Sequence, residues 1–410
     1  MKSIPTPVKL AVFFEHELSI GGNYQQSLNN ILAINTISNE IASIFIVTTI
    51  EKNAAMLASY GIKSVFLRLN KLTFIWLRIR NLISTMVGKN IISLFWKYNY
   101  LERFLKKNNI DLVYFTSQSP LAPYLDLTNY IFTLFDLCHR DYPEFPEVRA
   151  SGSFEKRELF FQKSLSKAIA VFVESDFGKI NVIRRYGLDE DRVYINPLVP
   201  SINSSIKEVD YMNNYIDIKL KYELNHDYIF YPAQFWSHKN HIYLLCGVKE
   251  LELRYGLIID IIFSGGDQGN LSYVKEFSNK IGLLDRTYFV GFVPNHEMPY
   301  LYKQSIALVM PTYFGPTNLP ILEAFKLGVP VIYSNLAGLR EQAGGAALLM
   351  NLDNPSHLAD LLLSLINDVN LRELLIRKGF LRLAELSENN TSDNVATVLK
   401  KFSSCRICWR

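Results

Sequence analysis

The sequence predicts an α/β chain of two doubly wound, parallel-sheet domains facing a cleft. Three observations carry this. Short, continuous β-branched or aromatic runs recur throughout, as expected for strands buried on both faces. Helix-length stretches separate most of them, the alternation of βαβ units. A polar, Asn/Ser/Lys-rich stretch, Pro200–Asn225, divides the series in two. With roughly 100–200 residues per domain, the 410 residues hold two domains, and 49% apolar residues supply two cores.

In the first half the strand runs are Lys9–Phe14, Ser43–Thr49, Ser64–Leu67, Leu112–Phe115, Tyr130–Phe135, Ile169–Glu174 and Val193–Asn196. Asn23–Asn39 carries Leu28, Ile31, Leu32, Ile34 and Ile37 near helical spacing. In the second half they are Tyr228–Pro232, Ile258–Ser264, Thr287–Phe292, Ala307–Pro311 and Val329–Tyr333. Helical patterns follow most of these, at Ile242–Arg254, Leu271–Lys280, Glu297–Gln304 and Leu319–Leu327, and Ser356–Phe402 is mostly helical. The expected units are 1–199, a linker region 200–226, a second domain 227–385 and a C-terminal segment 386–410. Doubly wound sheets bind ligands at the carboxyl ends of their strands, so the cleft between domains is the default site.

Composition narrows the function. Lys+Arg 43 against Asp+Glu 39 gives a net charge of +4, too small an excess for a general nucleic-acid binder. Cys138, Cys246, Cys405 and Cys408 are too few for a disulfide framework, and the C-x-x-C of Cys405 and Cys408 has no second pair to complete a zinc site. The early apolar run Leu10–Phe14 is shorter than a signal-peptide core. The longest apolar run, Ile41–Ile50, falls short of the about 20 residues of a membrane span. The expected location is cytoplasmic.

Residues 68–107 stand apart, with nine basic residues, one acid (Glu102) and the interleaved aromatics Phe74, Trp76, Phe95, Trp96, Tyr98 and Tyr100. Such a surface suits peripheral contact with an anionic membrane face. A helix pair packing its aromatics into the domain, with solvated lysines, accounts for it equally.

The stretch Pro311–Pro330 (PTYFGPTNLPILEAFKLGVP) reads as a strand end, a Gly/Pro/Thr/Asn loop and an apolar helix containing Glu323. Loop N–H groups at a helix N-terminus form an anion site, and a carboxylate one turn in can accept from sugar hydroxyls. Phosphate on the loop and ribose on Glu323 would suit a nucleotide diphosphate; an ordinary strand–loop–helix junction with a solvated Glu323 is the competing reading. His238 and His241 have H-x-x-H spacing with no third metal ligand nearby, and Asp189-Glu190-Asp191 reads as a charged turn. No metal and no cofactor are expected.

At Pro311-Thr312, Leu319-Pro320, Glu323-Ala324 and Gly328-Val329-Pro330-Val331-Ile332 the sequence resembles the retaining glycosyltransferases of the two-Rossmann-domain, or GT-B, type, family 4. The family's signature holds a glutamate eight residues before the second; here that place is Gly315. The resemblance implies a ribose contact for Glu323 and diphosphate contacts for the amides of Thr317, Asn318 and Leu319. Tyr231–His241 matches a second segment, in which the family clamps the diphosphate with an arginine and a lysine: Lys239 is present, and Gln234 replaces the arginine. A neutral amide donates to phosphate without supplying charge.

The resemblance also implies that Gly265 and Gly266 lie near the nucleotide and that the turn at Gly291 flanks its base. Gly21 and Gly22, and Glu174, would serve an acceptor or phosphate loop. Asp136 and His139 match part of a family His-Asp-x-x-His pattern, here with Phe135 in place of the first histidine. They stand as candidates for contacting the donor sugar or orienting the acceptor hydroxyl, or as members of a hydrogen-bonded turn. With Lys239 they are the expected catalytic residues.

The activity so implied is transfer of a sugar, with retention, from a nucleotide-diphosphate sugar (a substrate, not a cofactor) to an acceptor hydroxyl, a lipid-linked glycan in bacterial surface-polysaccharide assembly such as O-antigen. Residues 386–410 would pack back on the first domain. A sugar-nucleotide epimerase of the same fold, or a catalytically degenerate partner subunit, is the alternative that Gly315 and Gln234 keep open.

Overall fold

A computed structural model describes residues 7–17, 22–87, 98–200, 208–315, 317–388 and 391–409. Gly21, residues 88–97 of the basic segment (with Phe95 and Trp96) and 201–207 of the linker lie outside the described residues.

Two parallel sheets form. The first has the order β3-β2-β1-β4-β5-β6-β7, with β1 Val8–Phe14, β2 Ala42–Thr48, β3 Ser64–Phe66, β4 Leu112–Phe115, β5 Asn129–Thr133, β6 Ala170–Val173 and β7 Val193–Ile195. The second has the order β10-β9-β8-β11-β12-β13, with β8 Tyr228–Pro232, β9 Asp260–Ser264, β10 Thr287–Gly291, β11 Leu308–Met310, β12 Val331–Ser334 and β13 Leu348–Met350. In each sheet the strand order reverses beside the first strand of the series, between β1 and β4 and between β8 and β11. Crevices open at the carboxyl side of such switch points. The fold is the expected pair of doubly wound domains.

The central strands are buried on both faces, which is why they read as continuous apolar runs: Leu10 to Phe14 and Tyr228 to Tyr231 are fully buried. The sequence missed β13. Its Ala-Ala-Leu-Leu-Met run has no β-branched residue, and only the parallel pairing Ile332↔Leu348, Tyr333↔Leu349 makes it a strand.

Helix ends follow local chemistry. Asn240, in the left-handed region at φ 54°, accepts from the Tyr243 N–H at the start of helix His241–Tyr255, which stops at Gly256, φ 65°. Helix Leu319–Leu327 has proline in its first turn and the left-handed Gly328 at its end.

The helix Thr391–Arg406 lies on the first domain. Val395, Val398, Leu399 and Phe402 join the core formed by β1 and helix Gly22–Ile34. Thr391 donates to Asn196 Oδ1 at 2.8 Å and Asn394 to the Ile195 carbonyl at 2.7 Å. At its far end Arg406 pairs with Asp111, both side chains 5% exposed.

Removing one partner of a buried ion pair leaves the other uncompensated, a cost of about 3–5 kcal/mol. Arg406→Ala is therefore expected to shift the first domain's urea unfolding to clearly lower concentration, while surface Arg149→Ala leaves it in place. Circular dichroism and tryptophan fluorescence read the two transitions.

Candidate active site between the two sheets

The carboxyl ends of the two sheets face one another across a cleft of about 820 Å³. Its floor comes from the second domain. After β8 the chain makes a tight turn, Ser237–Lys239, pinned by the Tyr231 hydroxyl on the Lys239 carbonyl at 2.9 Å. This fixes the Lys239 backbone and sends the side chain toward the neighbouring loop, where Nζ donates to Asn318 Oδ1 at 3.2 Å. Burial disfavours the ammonium and brings its pKa down to about 8. Gln234 lines the same wall, its side-chain carbonyl accepting from the Trp236 indole at 3.1 Å.

The loop after β11 supplies the facing edge. Thr312 closes a turn on Phe314, and Gly315 follows at φ 92°, where a Cβ would lie 2.9 Å from the Thr317 carbonyl. A side chain at the place of the family's first glutamate is thus strained by this backbone. Asn318 is held on three sides: its N–H donates to Gln342 Oε1 at 2.8 Å, its carbonyl accepts from Gln342 Nε2 at 2.8 Å, and its Nδ2 donates to the Tyr333 hydroxyl at 2.7 Å. The Asn318 amide is therefore spent on Gln342, which corrects the expectation that it would hold phosphate; its side chain faces Lys239 instead. Thr317 and Leu319 line the cleft.

Glu323, one turn into the helix, accepts from the buried Tyr302 hydroxyl at 2.9 Å on Oε2. Burial raises its pKa. Gly265, Gly266 and Gly291 line the same end. At Gly265 a Cβ would meet the Ala233 carbonyl oxygen at 2.3 Å, so close packing alone requires glycine there, whereas beside Gly266 the space is open.

The first domain forms the roof. Asp136 follows β5 and accepts from Arg157 at 2.6 Å and from the Cys138 N–H at 3.0 Å. Burial alone would raise its pKa, but the Arg157 charge and these hydrogen bonds hold it below the usual value. Glu174, just past β6, accepts from the Thr317 hydroxyl across the cleft. Burial, with the Asp136 charge adding to it, lifts its pKa to about 8.

His139 does not reach the cleft. The helical turn Cys138–Asp141 rotates it into the domain, where it is 0% exposed, Nε2 meets Glu158 Oε1 at 2.6 Å, and the rings of Phe154 and Phe161 lie 5.5 Å away. This places the imidazole among core groups and removes it from the expected catalytic set. Gly22 opens helix Gly22–Ile34, and Tyr24, Gln25 and Gln26 of that helix line the cleft.

The two histidines of the H-x-x-H sit in different surroundings, and no metal-binding group of side chains is found among the described residues. His241 is buried and stacked on Phe235 with centroids 4.5 Å apart. His238 binds Glu147 of the first domain through its N–H at 3.0 Å and Nδ1 at 2.5 Å, and stacks on Phe314 at 4.2 Å. Tyr142, Phe145 and Tyr313 complete an aromatic cluster that joins the domains at one end of the cleft. The sequence did not single out Arg157, which arrives on helix Ser153–Leu165 with no motif around it. Glu147 appears in its Pro-Glu-Phe-Pro-Glu run, but no spacing rule pairs it with His238.

Residues 216–382 match the model of the family described as glycosyl transferases group 1. The fold is therefore of the GT-B kind, with a second domain similar to glycosyl transferases group 1. Among particular relatives, O-antigen chain mannosyltransferase B of Escherichia coli is 27% identical over 259 residues, 61% of this chain and 65% of that protein, just under two thirds of its length. Two solved structures share the fold. Sucrose-phosphate synthase from Thermosynechococcus elongatus has a TM-score of 0.70 at 16% identity, covering 97% of this chain and 100% of that one. Anabaena Alr3699/HepE in complex with UDP-glucose has 0.65 at 15%, covering 97% and 99%.

The Glu174 contact yields a pH prediction. Its folded-state pKa stands above the unfolded carboxyl value, so between about pH 4.5 and 8 the unfolded chain ionises first and this residue's contribution falls as pH rises. Glu174→Gln is expected to raise Tm more at pH 9 than at pH 5. Equal shifts at both pH values, by scanning calorimetry, contradict a buried neutral carboxyl.

Proposed function

We propose that the chain transfers a sugar from a nucleotide-diphosphate sugar to an acceptor hydroxyl, releasing a nucleoside diphosphate, in bacterial surface-polysaccharide assembly of the O-antigen kind. One observation carries this reading: Lys239, recessed in the cleft with only a neutral amide oxygen on its Nζ among the described residues, faces the N-terminus of helix Leu319–Leu327, with Glu323 one turn further in. A diphosphate on Lys239 and the loop, with ribose hydroxyls on Oε1 of Glu323, which has no partner among the described residues, satisfies each group.

The relative from Escherichia coli, named for mannosyl transfer to an O-antigen chain, supports both the pathway and a mannosyl donor as the first to test. The neighbour solved with UDP-glucose supports a nucleotide sugar as the donor class.

The mechanism proposed is front-face displacement with retention. Lys239 and the loop stabilise charge on the departing diphosphate, a kind of contact whose removal costs about 10²–10³ in turnover, and the leaving phosphate takes the acceptor proton. Asp136, aligned by Arg157 on the opposite side of the cleft, orients the acceptor or donor sugar. No divalent metal is required in this scheme.

The acceptor is proposed to be lipid-linked and reached at the membrane surface. Helix Lys71–Val87 presents Leu72, Ile75, Trp76, Ile79 and Ile83 to solvent, with Leu72 73% exposed, beside Arg68, Lys71 and Arg78. Phe74 and Leu77 turn inward, so the segment both packs on its domain and leaves an apolar, basic outer face. No helix among the described residues is long and apolar enough to cross a membrane.

Thermal-shift screening against UDP-, GDP- and dTDP-sugars should show one donor raising Tm by mass action. No shift with any of them refutes the donor reading. Lys239→Ala should lower turnover about 10²–10³-fold. Nucleoside-diphosphate affinity should fall as pH rises through about 8, where the free ammonium loses its proton, and this slope should vanish in Lys239→Ala. Turnover retained in chelator supports the metal-free scheme, and loss restored by magnesium or manganese overturns it. Flotation with phosphatidylglycerol vesicles, reduced by Trp76→Ser with Ile79→Ser, tests the membrane face.

A further inference from the structure

We propose that Arg157 supplies the second positive charge to the donor's diphosphate, reaching it from the domain opposite Lys239. The proposal rests on the reading of the cleft as a nucleotide-diphosphate site and assigns a residue that neither sequence pattern nor family motif marks.

A nucleotide-diphosphate sugar carries one negative charge on each phosphoryl group, and Lys239 balances one. Among the described residues lining the cleft, Lys239 is the lysine and Arg157 the arginine. The two histidines there, His16 and His238, are held toward the neutral form by burial, and His238 is already engaged by Glu147. Gln234 on the floor can donate an amide hydrogen but adds no charge. Among the described lining residues, Arg157 is the remaining formal cation beside whatever the loop amides contribute.

Its geometry suits that use. The guanidinium stands over the Phe161 ring, 5.6 Å from its centroid, which limits its tilt. Nη2 donates to Asp136 Oδ1 at 2.6 Å, and Nε and Nη1 have no hydrogen-bond partner among the described residues. The side chain is 32% exposed, open to the cleft it lines. A planar fork with two nitrogens to spare matches phosphoryl oxygens, often in bidentate fashion. Asp136 lies within electrostatic range of Lys239 as well, so it holds both cations beside the same volume until a dianion replaces part of that role.

The test is isothermal titration of UDP, GDP, dTDP and ADP, with the matching nucleosides, into the full chain and the variants Arg157→Gln, Asp136→Asn and the double variant. Arg157→Gln is expected to weaken the nucleotide that binds by about 10- to 100-fold, the scale of a lost charge-assisted contact. The affinity for the nucleoside should not move. The double variant should remain as weak as Arg157→Gln. Recovery of wild-type affinity in the double variant overturns the proposal, because Arg157 would then only mask Asp136. Unchanged affinity in Arg157→Gln overturns it too. If Arg157→Gln alone does not fold, Asp136→Asn against the double variant reads the same contact without a stranded carboxylate, and equal affinities there overturn it. Wild type binding none of the nucleotides refutes the donor reading itself, and this proposal with it, whereas wild-type binding that is insensitive to Arg157 refutes this proposal alone.

Discussion

An ammonium recessed in a cleft with no carboxylate bound to it is costly to keep, and among the described residues Lys239 is such a group. Its Nζ has a neutral amide oxygen at 3.2 Å, and burial pulls its pKa to about 8. The surrounding structure exists to hold it there. Tyr231 fixes its carbonyl, and Gln342 and Tyr333 clamp the asparagine that meets it. A protein that keeps an under-compensated cation at the carboxyl ends of two parallel sheets has stored attraction for an anion.

The other carboxylates of the cleft are arranged around that cation. Asp136 is kept ionised by Arg157, whereas Glu174 and Glu323 are pushed toward their neutral forms by burial and bind hydroxyls of Thr317 and Tyr302. Two of the four acids among the described lining residues therefore add little repulsion toward a phosphate, while Glu147, hydrogen-bonded to His238, stays ionised like Asp136. Gly315 adds no side chain there, and nearby Thr317 donates to Glu174 across the domains.

The domains meet through contacts of different kinds. At one end, Phe314 and His238 stack against Phe145 and Tyr142, an aromatic contact that excludes water. Elsewhere Glu341 accepts from the N–H groups of Asp176 and Phe177, at 2.7 and 2.8 Å, at the start of a first-domain helix. The aromatic joint includes Phe314 and His238, the sequence neighbours of Gly315 and Lys239, so the loops that line the cleft also join the two domains there.

The sequence by itself determined the features that depend on near neighbours. Continuous apolar runs required strands buried on both faces, and Pro, Gly and Asn placed the ends of helix Leu319–Leu327 and the turn before His241. The Lys239 turn and the Pro311–Glu323 loop were legible because each is a contiguous stretch whose chemistry follows from its own order. The tertiary structure alone decided what depends on distant partners. It turned His139 inward onto Glu158, consumed the Asn318 amide with Gln342, brought Glu174 to Thr317 and Arg157 into the cleft, and made a strand of Leu348–Met350 by pairing it with β12. The physical reason is range: hydrophobic period and turn chemistry act over a few residues, whereas charge and hydrogen-bond pairing across a cleft are set only when two separately folded sheets meet.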